Sequence, residues 1–135
     1  MERNTPFEVR DNYLYAKASG GFDPSIARDF IRKLIEKAGS HNLKKVLCDI
    51  TPLTGFDQDS ISFMTRFDLA GFIAESVPFG LKFAILGTPQ QLSGDIGETV
   101  MYNRGVMIKT TSSLQEALEW LGVSSNNDPS ESDTP

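Results

Sequence analysis

The chain has 135 residues, 39% hydrophobic and 23% charged, the proportions of an ordinary folded domain, which exclude wholesale disorder and fibrous repeats. That length suffices for one hydrophobic core and not for two. Thirteen bases stand against 18 acids, a formal charge of -5 and the wrong sign for a protein that gains affinity by neutralising nucleic-acid phosphates.

One cysteine, Cys48, and one histidine, His41, exclude an internal disulfide and any multi-cysteine or histidine-rich metal site, so no metal and no cofactor are expected. Low cysteine content reads as cytoplasmic. The start, Met-Glu-Arg-Asn-Thr-Pro, lacks the apolar segment of a secretion signal, and no apolar run approaches the ~18 residues of a transmembrane segment.

Phe7 to Arg10 and Tyr13 to Ala18 read as two strands joined by a tight turn at Asp11-Asn12. Asp23-Pro24 offers a capping oxygen followed by proline at the first helical position. Ile26, Phe30, Leu34 and Ala38 then recur at steps of four, and Gly39 ends the helix as a C-terminal cap. Lys45 to Ile50 is a short apolar strand that follows a helix that followed a strand, which implies a parallel crossover. Pro52 and Gly55 mark a loop, and Asp57-Gln58-Asp59-Ser60 supplies caps for a second helix running to about Ser76.

Phe83 to Leu86 is the next strand, closed by Gly87-Thr88-Pro89. The polar segment 90–104 is read as helical in its second half, where Ile96, Val100 and Met101 share a face. Val106 to Thr110 forms the last strand, and Ser112 or Ser113 opens a capping box for a helix stopped by Gly122. The polar stretch from Ser124 to Pro135, with Asp128, Glu131 and Asp133, is expected to be a disordered acidic tail to a domain spanning 1–123. The order of elements predicts an α/β fold with a mostly parallel five-stranded sheet and about four helices.

Nucleophilic catalysis needs a serine or cysteine near an oriented base. His41 lies in a helix–strand loop at the end of the sheet opposite the strands' carboxyl ends, and Cys48 lies inside a buried strand, so no catalytic residue is expected and an enzyme is disfavoured. Neither a Gly-x-Gly-x-x-Gly nor a phosphate-loop motif is present. In the second helix Phe63, Phe67, Ala70 and Ala74 form one stripe expected to face the sheet, while Ile61, Leu69 and Phe72 lie on another side. That second apolar side is covered either by a neighbouring helix of the same domain or by a partner or second copy.

The run Lys45-Val46-Leu47-Cys48-Asp49-Ile50 before a loop and helix, the strand Phe83-Ala84-Ile85-Leu86-Gly87, and the ending Glu116-Ala117-Leu118-Glu119-Trp120-Leu121 resemble the SpoIIAA-like branch of the STAS (sulfate transporter and anti-sigma factor antagonist) superfamily over about residues 7 to 123. The resemblance implies a non-enzymatic regulatory module that contacts a protein partner or a second copy of itself. Its implied contact surface is the loop before the second helix and that helix, taking in Thr51, Asp57, Asp59, Ser60, Ile61, Leu69 and Phe72. In the antagonists a serine at the start of this helix is phosphorylated by a partner kinase, and Ser60 holds the matching position. The antagonists carry that serine in an Asp-Ser-Ser/Thr-Gly type motif; here Ile61 stands where its glycine would follow the serine and Asp59 would repel a phosphate, so Ser60 as a plain cap is the other reading. The alternative function is a carrier or sensor of a small apolar or lipid-like ligand, held between the second helix and the loops Thr51–Asp57 and Thr88–Asp95.

Overall fold

A computed structural model describes residues 6–10, 12–57, 60–92 and 107–123. The strands are β1 (Phe7–Val9), β2 (Leu14–Lys17), β3 (Gly20–Gly21), β4 (Lys45–Asp49), β5 (Leu53–Thr54), β6 (Lys82–Leu86) and β7 (Met107–Thr111). The described helices are α1 (Pro24–Ser40), α2 (Phe63–Ser76), α3 (Pro89–Leu92) and α4 (Leu114–Leu121). Asp59, the helix expected within 90–104 beyond Leu92, and the acidic tail lie outside the described residues.

The main sheet runs β1-β2-β4-β6-β7. It is mixed and not mostly parallel as the order of elements predicts, because the tight reversal after Val9 sets β1 antiparallel to β2 on one edge. The remaining pairings are parallel, each reached through a crossover. β3 and β5 form a separate two-stranded parallel ladder. Two-residue strands, one of them Gly20-Gly21, are too short to leave a periodic signal in the sequence.

Strand alternation divides the interior in two. Leu14, Ala16, Val46, Cys48, Phe83 and Ile85 pack under α1 and α2. Tyr13, Tyr15, Leu47, Ala84 and Leu86 pack against Ala117, Leu118 and Leu121 of α4 on the other face.

The caps explain the helix boundaries. Asp23 Oδ1 accepts from the backbone N–H groups of Ser25 (2.9 Å) and Ile26 (3.1 Å), as the sequence predicts. α1 runs past Gly39 and ends at His41, which is its C-cap. α2 starts later than expected, with Ser62 Oγ accepting from Thr65 N–H at 3.1 Å. Asp57 instead closes a turn, its Oδ1 accepting from Ser60 N–H at 2.9 Å. Ser60 is therefore outside the helix and caps nothing. In α4, Ser113 Oγ accepts from Glu116 N–H, and Gly122 at φ 77° closes the far end with its N–H shared by Leu118 and Glu119.

Candidate functional site

Between α1 and α2, above the carboxyl ends of β4 and β6, lies a cavity of about 380 Å³. Its position follows from the topology, since ligand crevices in open α/β sheets form where strands end and their loops diverge. Cys48, Ile85 and Thr110 form the floor, Ala27, Phe30 and Ile31 of α1 one wall, and Arg66, Leu69, Ala70 and Ile73 of α2 the other. The β3–β5 ladder roofs it through Gly21 and Leu53, together with Phe22 and Phe56, whose ring centroids are 5.0 Å apart.

The polar groups around this space are mostly committed to backbone. Gln91, 6% exposed, donates from Nε2 to the carbonyls of Ile50 (2.7 Å) and Leu53 (3.0 Å) and accepts at Oε1 from Thr88 N–H (2.8 Å). It latches α3 to the loop after β4 and leaves its stem toward the cavity. Gly87 permits that approach, because a Cβ there would lie 3.0 Å from Leu92 Cδ2 and 3.1 Å from Gln91 Oε1. Asp23 spends its carboxylate on the α1 cap. Lys17 pairs with Asp49 across the strands, so alternation turns its side chain toward the α4 face. Arg66 sits on the cavity side of α2, with its guanidinium carbon 6.0 Å from the Phe56 ring centroid and Nη2 donating to the Gln91 carbonyl at 3.4 Å.

Cys48 is 2% exposed, and burial, helped by the negative charge of Asp49, pushes its thiol up to about 12. It is a small apolar floor residue. Asp49 itself is 9% exposed and accepts three bonds, from Tyr15 Oη (3.0 Å), Thr51 N–H (2.9 Å) and Thr51 Oγ1 (2.7 Å). It pins the loop that leads to β5, and the same burial and charge raise Tyr15 well above an ordinary tyrosine. Sequence reasoning missed this anchor, although an acid ending a buried strand beside a threonine two residues on was the available signal.

The residues expected at a contact surface are scattered. Thr51 is exposed but spends both donors on Asp49. Asp57 and Ile61 are half-buried in the turn, and Ser60 is exposed there. Leu69 and Phe72 pack on the core beneath α1, with Arg32 and Arg28 lying 5.1 and 5.8 Å from the Phe72 ring centroid. The second apolar side of α2 is therefore covered within the domain. The expected sheet-facing stripe splits instead: Ala70 and Ala74 are buried, whereas Phe63 (56%) and Phe67 (37%) are exposed beside Met64 (58%). Ala70, Ile73 and Ala74 are the buried residues of α2, so its buried face lies in the C-terminal half of the helix and Phe63, Met64 and Phe67 stay outside it. Of the loops expected to line a cleft, Leu53, Phe56, Gln91 and Leu92 do so.

No family model matches the chain, and no curated protein matches it. Among solved structures, the NMR structure of the protein TM1081 is similar at 15% identity and a TM-score of 0.48, covering 88% of this chain and 89% of that one. Among the described residues no helix is long and apolar enough to cross a membrane, and no group of His, Cys, Asp and Glu could hold a metal ion.

Proposed function

We propose that the chain is a non-enzymatic, STAS-like binding module that carries or senses a small apolar ligand between α1 and α2. The observation that carries this reading is the cavity of about 380 Å³, within the ~300–1,000 Å³ range of small-molecule sites. Aliphatic and aromatic side chains make most of its wall, and such a wall gains roughly 25 cal/mol for each Å² of apolar ligand surface it removes from water. The protonated Cys48 thiol and the distance of His41, at the other end of the sheet, favour binding over catalysis.

Native mass spectrometry of the purified chain and thermal melts with added 1-decanol test this reading. A retained small molecule, or a melting temperature that rises with decanol concentration, is expected. Ala27→Phe, which fills the α1 wall, should remove the effect. Absence of both signals in the wild-type chain overturns the reading.

Exposure of Phe63, Met64 and Phe67 favours a second reading, a protein partner on the outer side of α2 with the exposed Ser60 beside it as a phosphorylation site. The double substitution Phe63→Asp/Phe67→Asp should then abolish partner capture or self-association in size-exclusion runs, and a cognate kinase fraction should add one phosphate to the intact mass of wild type but not of Ser60→Ala.

A further inference from the structure

We propose that β1 is a docking edge for a second copy of this chain, which adds its own β1 antiparallel about a twofold axis at Val9. The hairpin fixes which backbone groups point outward. Arg10 donates its N–H to the Tyr13 carbonyl at 2.8 Å, and Lys17 donates its own to the Pro6 carbonyl at 3.0 Å. Bonded and unbonded residues alternate in an antiparallel ladder. Pro6, Glu8 and Arg10 therefore turn their backbone groups to β2, and Phe7 and Val9 turn theirs the other way. β1 is an edge of the main sheet, with β2 as its one neighbour among the described residues. An edge strand that directs N–H and C=O groups outward is a template for another strand.

Side chains choose the occupant and the register. Glu8 stands opposite Tyr15, which belongs to the α4-side core, so Glu8 and Arg10 share that face, with Oε2 of one 3.7 Å from Nη1 of the other. Phe7 and Val9 lie on the other face, where the Phe7 ring centroid is 5.3 Å from that of Phe30 and Val9 is 45% exposed. An axis at Glu8 would set two Glu8 carboxylates against each other, and an axis at Phe7 would set Glu8 against Pro6. An axis at Val9 sets each Glu8 against Arg10 of the other copy. Those positions form the close, non-hydrogen-bonded pairs, and the two Val9 residues exchange both backbone bonds between them. Each carboxylate then lies between its own Arg10 and its neighbour's, an alternating network of four charges on one face, while the exposed Val9 side chains meet on the opposite face. Charge on an edge strand commonly repels a second strand. Opposite signs either side of Val9 make this edge self-complementary instead, as twofold contact demands. So short an edge makes a weak, transient interface, of the class below about 1,200 Å².

Sedimentation velocity of the full chain, from low micromolar to about 1 mM, reads the association. Wild type is expected to dimerise reversibly, and less so as salt is added. Glu8→Arg and Arg10→Glu should each weaken the dimer roughly tenfold or more, because the axis turns two attractive pairs into two repulsive ones. The Glu8→Arg strand then carries two cations and the Arg10→Glu strand two anions, so an equimolar mixture should recover association as a heterodimer. Glu8→Arg/Arg10→Glu in one chain should recover it as a homodimer, and it keeps the pair within the strand, so it tests the proposal even where a single variant fails to fold. Wild type that stays monomeric throughout overturns the proposal. Loss in the single variants without recovery in either the mixture or the double exchange overturns the register at Val9. A dimer indifferent to the single exchanges overturns the edge itself, and one that Phe63→Asp/Phe67→Asp dissolves while they leave it intact assigns self-association to α2.

Discussion

Cys48 and Tyr15 each hold a proton more firmly in the folded chain than outside it, for the same two reasons, burial first and the charge of Asp49 second. The unfolded chain loses these protons near about 8.5 for cysteine and about 10 for tyrosine. The native state binds more protons above those values, so the stability they lend is complete below them and is lost as pH climbs toward the native values. Thermal melts between pH 8 and 11 should show a melting temperature that falls from about pH 9 upward. Tyr15→Phe should cost about 1 kcal/mol at neutral pH and flatten the upper part of the fall, and Cys48→Ala the lower part. A flat profile to pH 11, or identical profiles for all three proteins, contradicts this. The same burial makes Cys48 inert: a thiol reagent at pH 8 should label it in denaturant and leave the folded chain untouched.

Helix boundaries depend on where a capping oxygen meets a free N–H, and α2 shows how that defeats a sequence pattern. Asp57, Asp59, Ser60 and Ser62 all carry suitable oxygens, and composition alone does not choose among them. In the structure Ser62 Oγ reaches Thr65 N–H, whereas Ser60 sits in the Asp57 turn. Ser62→Ala should accordingly cost about 1 kcal/mol in urea unfolding, and Ser60→Ala should stay within roughly 0.5 kcal/mol of wild type. The reverse order would place the helix start where the sequence alone puts it. Gly122 was legible, because a left-handed C-cap requires a residue without a Cβ, and Gly122→Ala should cost about 1–2 kcal/mol. The cavity was partly legible: Leu53, Phe56, Gln91 and Leu92 fall in the loops marked for a cleft. Arg66 was not, since one arginine in an amphipathic helix reads as solvated until the roll of the helix is known.

The five strands of the main sheet and their order along the chain could be read from alternation and turn residues, but the division of the interior could not be fully anticipated. One sheet serves two cores, with Leu34 in the α1–α2 core and Leu118 in the α4 core. Because β2, β4 and β6 belong to both, Leu34→Ala and Leu118→Ala should each cost about 2–5 kcal/mol and each lower one shared transition. Trp120 packs on the α4 side, where Lys82 Nζ donates to its carbonyl at 3.0 Å. Its emission should therefore follow unfolding of both variants and stay unchanged on ligand binding at the opposite face; a ligand-induced shift would show that the faces communicate. The β3–β5 roof stands apart from this shared framework. It is held by two residue pairs, by the Phe22 N–H to Thr54 carbonyl bond at 2.8 Å and by the Thr54 hydroxyl donating to the Gly20 carbonyl at 3.1 Å. Parting it would expose the cavity while both cores stay packed, so the residence time of a bound molecule becomes adjustable separately from the melting temperature. Thr54→Val should shorten that residence in stopped-flow release and leave the unliganded melt where it was.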